Sequence, residues 1–147
     1  MMTGKERRIL MNSAIKQIII PFLREQGFKG SFPHFRRLKS DGINLLTYQF
    51  SSSDSKFVIE ISNCSPKGIL LSWGKEIKPS NCTAHDMYKR LRVGSKKNNG
   101  DYWFDFSKES FFRDIYEKRA KELIGLWDEA EQWWQNDPEN QRNTMVP

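Results

Sequence analysis

The short connections between strand-like segments constrain the fold of this chain more than any other feature of its sequence. Residues 56–63 alternate apolar and polar side chains with the two-residue period of a β-strand. Residues 43–50 have the same strand-like character, and Asp41-Gly42 just before them is a strong turn signal. Because turns this short join antiparallel strands, the sequence predicts an antiparallel meander.

We expect about five or six strands in this sheet. Besides the two central segments, strand-like composition is found in residues 32–38, 69–73, 90–93 and 101–106. Pro33 favours an edge position or a late start for the first of these, since proline cannot donate to a strand ladder. Residues 74–88 are predicted to form a loop with one helical turn, and residues 95–100 a hairpin loop.

Amphipathic helices are predicted on both sides of the strand region. Residues 4–26 repeat apolar side chains at spacings of three and four, and Gly27 suits the left-handed position that ends a helix. Pro21 should kink this helix or begin a second one. Residues 108–136 carry a longer apolar stripe, with Ser107 as a suitable N-cap. The predicted fold class is α+β, an antiparallel sheet flanked by an N-terminal helix and a long C-terminal helix.

The length and the apolar runs bear on domain organisation and location. The 147 residues suit one domain, which we place at 1–136, followed by a disordered polar tail at 137–147. The apolar run 18–23 is far shorter than the roughly 20 residues that span a bilayer, and no secretory signal precedes it. We therefore expect a cytoplasmic protein without a membrane segment, in which the thiols of Cys64 and Cys82 stay reduced.

The net charge of +6 is unevenly distributed along the chain. Residues 1–100 hold 18 Lys and Arg against 7 Asp and Glu, whereas residues 101–147 hold 6 against 11. Two interpretations follow. Either the acidic segment neutralises the basic one within the fold, or the basic surface faces an anionic partner.

Several short motifs occur in a familiar order. They are Pro21-Phe22-Leu23, Gly27-Phe28-Lys29, Ile43-Asn44-Leu45, Phe57-Val58-Ile59, Arg90-Leu91-Arg92-Val93-Gly94 and Asp101-Tyr102-Trp103. Over about residues 11–134 this order resembles the bacterial domain of unknown function 4304 (DUF4304) family. That family often has two adjacent tryptophans where this chain has Trp103-Phe104, and residues 74–88 match it poorly. The resemblance implies a compact α+β domain. It does not imply a reaction, because none is established for the family.

Metal and catalytic motifs are sparse. Cys82 and His85 form a C-x-x-H pair, to which only Cys64 and His34 could be added as Cys or His ligands of a zinc ion. A second local pair is missing, so the sequence favours half-buried cysteines and surface histidines over a metal site. The chain has no Gly-rich phosphate loop, G-x-S-x-G or H-E-x-x-H motif. We expect no metal, no cofactor and no catalytic residue, although enzymatic activity stays an open question.

A basic and aromatic cluster is the candidate binding site. It comprises Arg36, Arg37, Arg90, Arg92, Lys96, Lys97, Tyr102 and Trp103. Two guanidinium groups on one strand face can bind phosphate or carboxylate groups. The structural alternative is that Arg90 and Arg92 pair with acids of the C-terminal helix, such as Glu117 or Glu122.

Two function classes remain open. The first is a non-enzymatic binding or interaction domain, of the immunity or adaptor type, with a protein partner or an acidic ligand. The second is a nucleic-acid-binding domain that uses the basic and aromatic cluster. The sequence does not indicate an oligomeric state.

Overall fold

The antiparallel sheet is built mainly from strands that follow one another along the chain. The computed structural model describes residues 2–107 and 114–136. The strands are β1 (Lys29–Ser31), β2 (His34–Lys39), β3 (Gly42–Phe50), β4 (Lys56–Cys64), β5 (Ile69–Leu70), β6 (Glu76–Ile77), β7 (Leu91–Arg92) and β8 (Phe104–Asp105). Strands β1 to β4 pair in sequence order, and β7 and β8 both pair with β4. This six-stranded sheet, together with the helices described below, confirms the predicted α+β class.

The predicted N-terminal helix is present but irregular. It consists of α1 (Gly4–Ala14), a π-helical turn (Ile15–Ile19) and α2 (Ile20–Glu25). Pro21 lies in the first turn of α2, where its missing N–H is tolerated. Gly27, with φ of 92°, ends the helix as predicted, because the amides of Gly27 and Phe28 donate to the carbonyls of Arg24 and Leu23.

The C-terminal helix begins later than predicted and is interrupted. Its described parts are α3 (Ile115–Gly125) and α4 (Trp127–Asn136). Asp114 has extended backbone angles, and its carboxylate accepts from the amides of Tyr116 and Glu117, so it is the N-cap. The predicted long C-terminal helix is confirmed over residues 115–136, with a break at Leu126, but its predicted continuity through Asp114 is wrong. The predicted start after Ser107 and the predicted tail at 137–147 lie outside the described residues.

The helices cover one face of the sheet, here called the helix face. Its core combines side chains of β2, β3, β4 and β8 with those of all four helices; the largest fully buried ones are Met11, Ile15, Ile19, Leu23, Phe28, Leu46, Phe57, Ile59, Phe104 and Phe106. Aromatic rings pack throughout this core, with Phe57 stacked on Phe104 at a centroid distance of 4.9 Å.

The opposite face is covered by an irregular segment, residues 65–90, which we call the lobe. The segment 69–73 was predicted to extend the meander, and this prediction is wrong. Strands β5 and β6 pair only with each other, and two 3₁₀ turns follow them, Pro79–Asn81 and Ala84–Asp86. The lobe packs on the sheet through a small apolar cluster, which consists of Ile43, Leu45, Cys64, Ile69, Cys82, Ala84 and Met87.

Arg37 anchors α4 to the sheet from a buried position on the helix face. Only 7% of the residue is exposed, and its guanidinium forms a salt bridge with Glu131 of α4. Its Nε also donates to Oδ1 of Asn44 at 3.0 Å, and Asn44 donates to Asn63 at 2.7 Å. One basic residue of the sheet is thus neutralised by an acid of the C-terminal segment, in line with intramolecular neutralisation.

We expect Glu131→Ala to lower the free energy of unfolding by about 2 kcal/mol, because it leaves the buried Arg37 guanidinium without its counter-charge. Urea denaturation measures this change. The matched control is Glu117→Ala, which breaks the exposed pair of Glu117 with Lys121 and should cost less than about 0.5 kcal/mol. Equal losses in the two variants would contradict the anchoring role of the Arg37 pair.

Candidate functional site

Strand register sets the charged and polar groups on the lobe face of the sheet. Antiparallel pairing aligns His34 of β2 with Thr47 of β3, Thr47 with Glu60 of β4, and Glu60 with Arg92 of β7. Since residues in register point to the same side of a sheet, these four side chains form one transverse row. We call it the polar row.

Arg92 is neutralised locally and contacts an aromatic ring. Its Nη1 lies 2.6 Å from Oδ1 of Asp101, in the segment that leads to β8. The guanidinium carbon is also 5.2 Å from the centroid of the Trp103 ring, and the ammonium of Lys56 is 4.5 Å from the same centroid. Two cations thus lie against one indole, in an arrangement that cation–π attraction stabilises.

Arg90 lies two positions from Arg92 on the same face and has a weaker partner. Its Nη1 is 3.7 Å from Oε1 of Glu60, whose side chain is mostly buried. The acids of the C-terminal helix that were named as alternative partners are engaged elsewhere: Glu117 pairs with Lys121, and Glu122 pairs with Arg119. Among the described residues, Arg90 and Arg92 pair with Glu60 and Asp101, so the alternative pairing with Glu117 or Glu122 is not observed.

Strands β7 and β8 both pair with β4 and not with each other, so the predicted hairpin at 95–100 is wrong. The C-terminal helix holds the backbone of the segment that connects them. The carboxylate of Glu129 accepts from the amide of Gly94 at 2.5 Å and from the amide of Lys96 at 3.0 Å. Gly94 has φ of 94°, and a side chain there would collide with the ring of Tyr102. Lys96 is exposed, whereas the side chain of Lys97 lies outside the described part of the chain.

Arg36 and Arg37 lie on opposite faces of β2, as neighbours in a strand must. Arg36 is on the lobe face and donates to the carbonyls of Pro79 and Ser80. Arg37 is on the helix face beneath α4, as described above. The structure thus brings Arg92 and Trp103 together, places Arg90 beside Glu60, and puts Arg37 on the other face of the sheet.

The sequence contains two histidines, and the fold places them against each other. The rings of His34 and His85 are 6.0 Å apart, centroid to centroid, and nearly perpendicular. Nδ1 of His34 shares a hydrogen bond with Thr47 Oγ1 at 3.0 Å, and Nε2 of His85 is 3.5 Å from Glu60 Oε1. Sequence analysis missed this pair because the two residues are far apart in the chain and one lies on the lobe.

Burial and charge alter the basicity of one of these imidazoles. Burial lowers the pKa of His34, the proximity of His85 lowers it further, and Asp86 acts in the opposite direction. His34 therefore prefers the neutral form more strongly than an exposed histidine does. A neutral imidazole next to a threonine hydroxyl can donate a hydrogen bond to a ligand or accept one from it.

The C-x-x-H residues do not converge on one point. Cys82 lies with Cys64 in the apolar cluster under the lobe, whereas His85 faces His34 and Glu60. Within residues 2–107 and 114–136, no three or more His, Cys, Asp or Glu side chains are arranged so that they could hold a metal ion. The same described residues include no helix with the length and apolar character needed to cross a membrane.

The outer surface of the lobe carries aromatic side chains. Trp73, between β5 and β6, is 72% exposed, and Tyr88, ahead of β7, is 82% exposed. These are the two most exposed large hydrophobic residues in the described part of the chain. Sequence analysis gave Trp73 no role, since 69–73 was expected to be a strand of the main sheet.

Comparison with known proteins identifies one family. The family model "Domain of unknown function (DUF4304)" matches residues 19–125 of the chain. This range includes the sheet, the lobe, the polar row and α3. Neither a curated protein nor a solved structure shows a significant match to the chain.

We expect the pKa of His34 to lie below 6.5, its ordinary value, in the folded protein. A lowered folded-state pKa means that the unfolded chain binds the proton more readily. Protonation of His34 should therefore lower the free energy of unfolding as the pH falls through 6.5. At a pH well above 6.5, His34 should contribute no pH dependence to this free energy. Titration of the imidazole resonances by NMR measures the pKa directly.

The controls for this titration are the urea-unfolded chain and the variant His85→Asn. In urea, the pKa of His34 should be about 6.5. In folded His85→Asn its pKa should rise part of the way toward that value, because burial persists but the neighbouring imidazole is gone. A pKa of His34 at or above that of the unfolded chain would contradict the expectation.

Proposed function

This chain belongs to the DUF4304 family, a domain family of unknown function, and we propose that it is a non-catalytic binding module of the bacterial cytoplasm. We assign the binding surface to the outer side of the lobe. We further propose that the partner is a protein with an acidic surface. An adaptor or an immunity-type protein would fit this description, because each acts by occupying a partner rather than by chemistry.

The observation that carries the proposal is the joint exposure of Trp73 and Tyr88 on the lobe. Tryptophan and tyrosine are enriched among the residues that dominate protein–protein binding energy. Each exposes a large apolar area to water, and burial of such area against a partner is favourable at roughly 25 cal/mol per Å². Among the described residues, nothing covers these two rings, so the lobe offers two exposed aromatic anchors to a partner.

The charge of the lobe favours an acidic partner. Residues 65–90 contain five Lys and Arg and two Asp and Glu, a net charge of +3. Lys67, Lys75 and Lys78 are exposed on this segment together with Trp73. A basic rim around aromatic anchors attracts an acidic surface and raises the rate of encounter.

Nucleic-acid binding is the second candidate, and the Trp103 region is the observation in its favour. Arg92 and Lys56 lie against this indole, and Arg90 lies two positions from Arg92 along the chain. Aromatic rings next to cations are used to stack single-stranded bases. Two features weaken this candidate: Arg92 is paired with Asp101, and the ring of Trp103 is already in contact with two cations.

The test of the first candidate begins with a photo-reactive phenylalanine analogue at position 88 of the full chain in its source cells. The cross-linked protein is identified, purified and titrated by calorimetry. We expect Trp73→Ala and Tyr88→Ala each to raise the Kd at least about tenfold, since truncation of a central aromatic anchor costs about 2 kcal/mol.

Ile9→Ala is the matched control, because Ile9 is also a highly exposed hydrophobic residue but belongs to α1 on the other side of the sheet. Its Kd should equal that of the wild type. If the lobe variants bind as tightly as this control, or if position 88 cross-links to nucleic acid alone, the proposal is wrong.

The second candidate is tested with labelled single-stranded RNA and DNA in an anisotropy titration. Under our proposal, Arg90→Ala with Arg92→Ala leaves oligonucleotide binding weak and unchanged. A specific nucleic-acid site would instead show affinity that falls steeply between about 50 and about 200 mM salt and is lost in this double variant. Such a result would favour the nucleic-acid function over the protein-binding one.

A further inference from the structure

The two cysteines of the chain lie together in the small apolar cluster beneath the lobe. Cys64 is the last residue of β4, and Cys82 directly follows the 3₁₀ turn Pro79–Asn81. Both are free thiols and both are buried. They come from positions 18 residues apart, so their meeting is a product of the fold and not of local sequence.

The two thiols interact with each other, and each also lies near a backbone carbonyl. Cys64 and Cys82 belong to the same small buried cluster, and their interaction shifts the pKa of both thiols. Sγ of Cys64 lies 3.3 Å from the carbonyl oxygen of Ser65, and Sγ of Cys82 lies 3.4 Å from that of Lys78. A disulfide requires the two sulfurs to approach to about 2.05 Å, which side-chain rotation and a local shift of the lobe can supply within one small cluster.

We propose that Cys64 and Cys82 are a reversible oxidation site, which closes to an intramolecular disulfide by exchange with glutathione disulfide. The Cys82 thiolate attacks one sulfur of the oxidant and releases one glutathione thiolate. The Cys64 thiol then loses its proton and attacks the Cys82 sulfur, releasing the second glutathione. The two protein thiols give up two electrons and two protons in total, and glutathione disulfide is reduced to two glutathione molecules.

Cys82 is assigned as the attacking thiol because it lies on the weakly attached lobe, whereas Cys64 is held at the end of β4 in the main sheet. The directions of the two pKa shifts agree with this assignment. The interaction with Cys64 lowers the pKa of Cys82, although burial opposes this effect. The same interaction and burial raise the pKa of Cys64 strongly. Since the thiolate is the nucleophile in exchange, the first attack falls to Cys82 and the resolving step to Cys64.

Access to the buried thiols requires the lobe to lift from the sheet. Strands β5 and β6 have two residues each and make no ladder with the main sheet. The lobe is held by the small apolar cluster and by polar contacts such as those of Arg36 with Pro79 and Ser80. A segment with so few attachments opens locally at lower free energy than the central strands. The disulfide would then tie the end of β4 covalently to the lobe.

The test uses the full reduced chain in glutathione buffers of increasing oxidised fraction, quenched with acid and alkylated. We expect the wild type to lose both alkylation sites, to gain no glutathione, and to give one linked pair of Cys64 and Cys82 peptides in a non-reducing digest. The oxidised form should melt about 5–10 °C higher than the reduced one, because the crosslink restricts the unfolded chain.

The variants separate the two roles. Cys64→Ser should accumulate a glutathione adduct on Cys82, because the resolving thiol is absent, whereas Cys82→Ser should react much more slowly at Cys64. The wild-type product decides the proposal even if a variant fails to fold. A stable glutathione adduct, a dimer linked between chains, or thiols that react only after unfolding in urea would each overturn it.

Discussion

The burial of both faces of strand β3 is the constraint on which the rest of the structure depends. Every residue from Gly42 to Tyr48 is buried, so neither side of the strand is left to water. A strand of this kind needs two covering layers, and the chain supplies them by different means. The helices form the helix face, whereas the lobe covers the other side with very little regular secondary structure. Polar residues of the strand must then find partners inside, as Asn44 does with Arg37 and Asn63.

The two layers differ in how tightly their conformations are fixed. The helix face joins long helices to the sheet through a large aromatic core and the buried pair of Arg37 with Glu131. The lobe rests on a cluster that adds only Ile69, Cys82, Ala84 and Met87 to residues of the sheet. Substitution of the outer side chains of a layer with few internal contacts costs the fold little stability. Loops on rigid scaffolds also commonly carry binding or catalytic residues. The exposed Trp73 and Tyr88 accordingly lie on the lobe, and the thiol pair joins Cys82 of the lobe to Cys64 at the end of β4.

Sequence periodicity predicted the sheet because the signal for a strand is local. The alternation in residues 56–63 and the Asp41-Gly42 turn were sufficient to place β3 and β4. The structure of the lobe could not be predicted in this way. Strands β5 and β6 have two residues each, which is too short to show an alternation of apolar and polar side chains, and they pair only with each other. The histidine pair was missed for a related reason: His34 and His85 meet only because strand register and lobe packing both act over long distances in the chain. Arg36 and Arg37 could have been separated by strand alternation alone, and treating them as one patch ignored that rule.

Charge counts along the sequence overstate the basic surface, because register distributes the arginines among different acids. Arg37 pairs with Glu131 of α4, Arg92 with Asp101 and Arg90 with Glu60. These acids come from a helix, a connecting segment and a strand. Neither a helical pattern nor a run of acidic residues in the sequence therefore predicts these ion pairs. Arginines neutralised in this way contribute orientation and local order more than long-range field. In contrast, Lys67, Lys75 and Lys78 of the lobe are exposed, as is Trp73. Under our proposal the lobe combines electrostatic attraction with aromatic contact, whereas the sequence had placed both features on the strands.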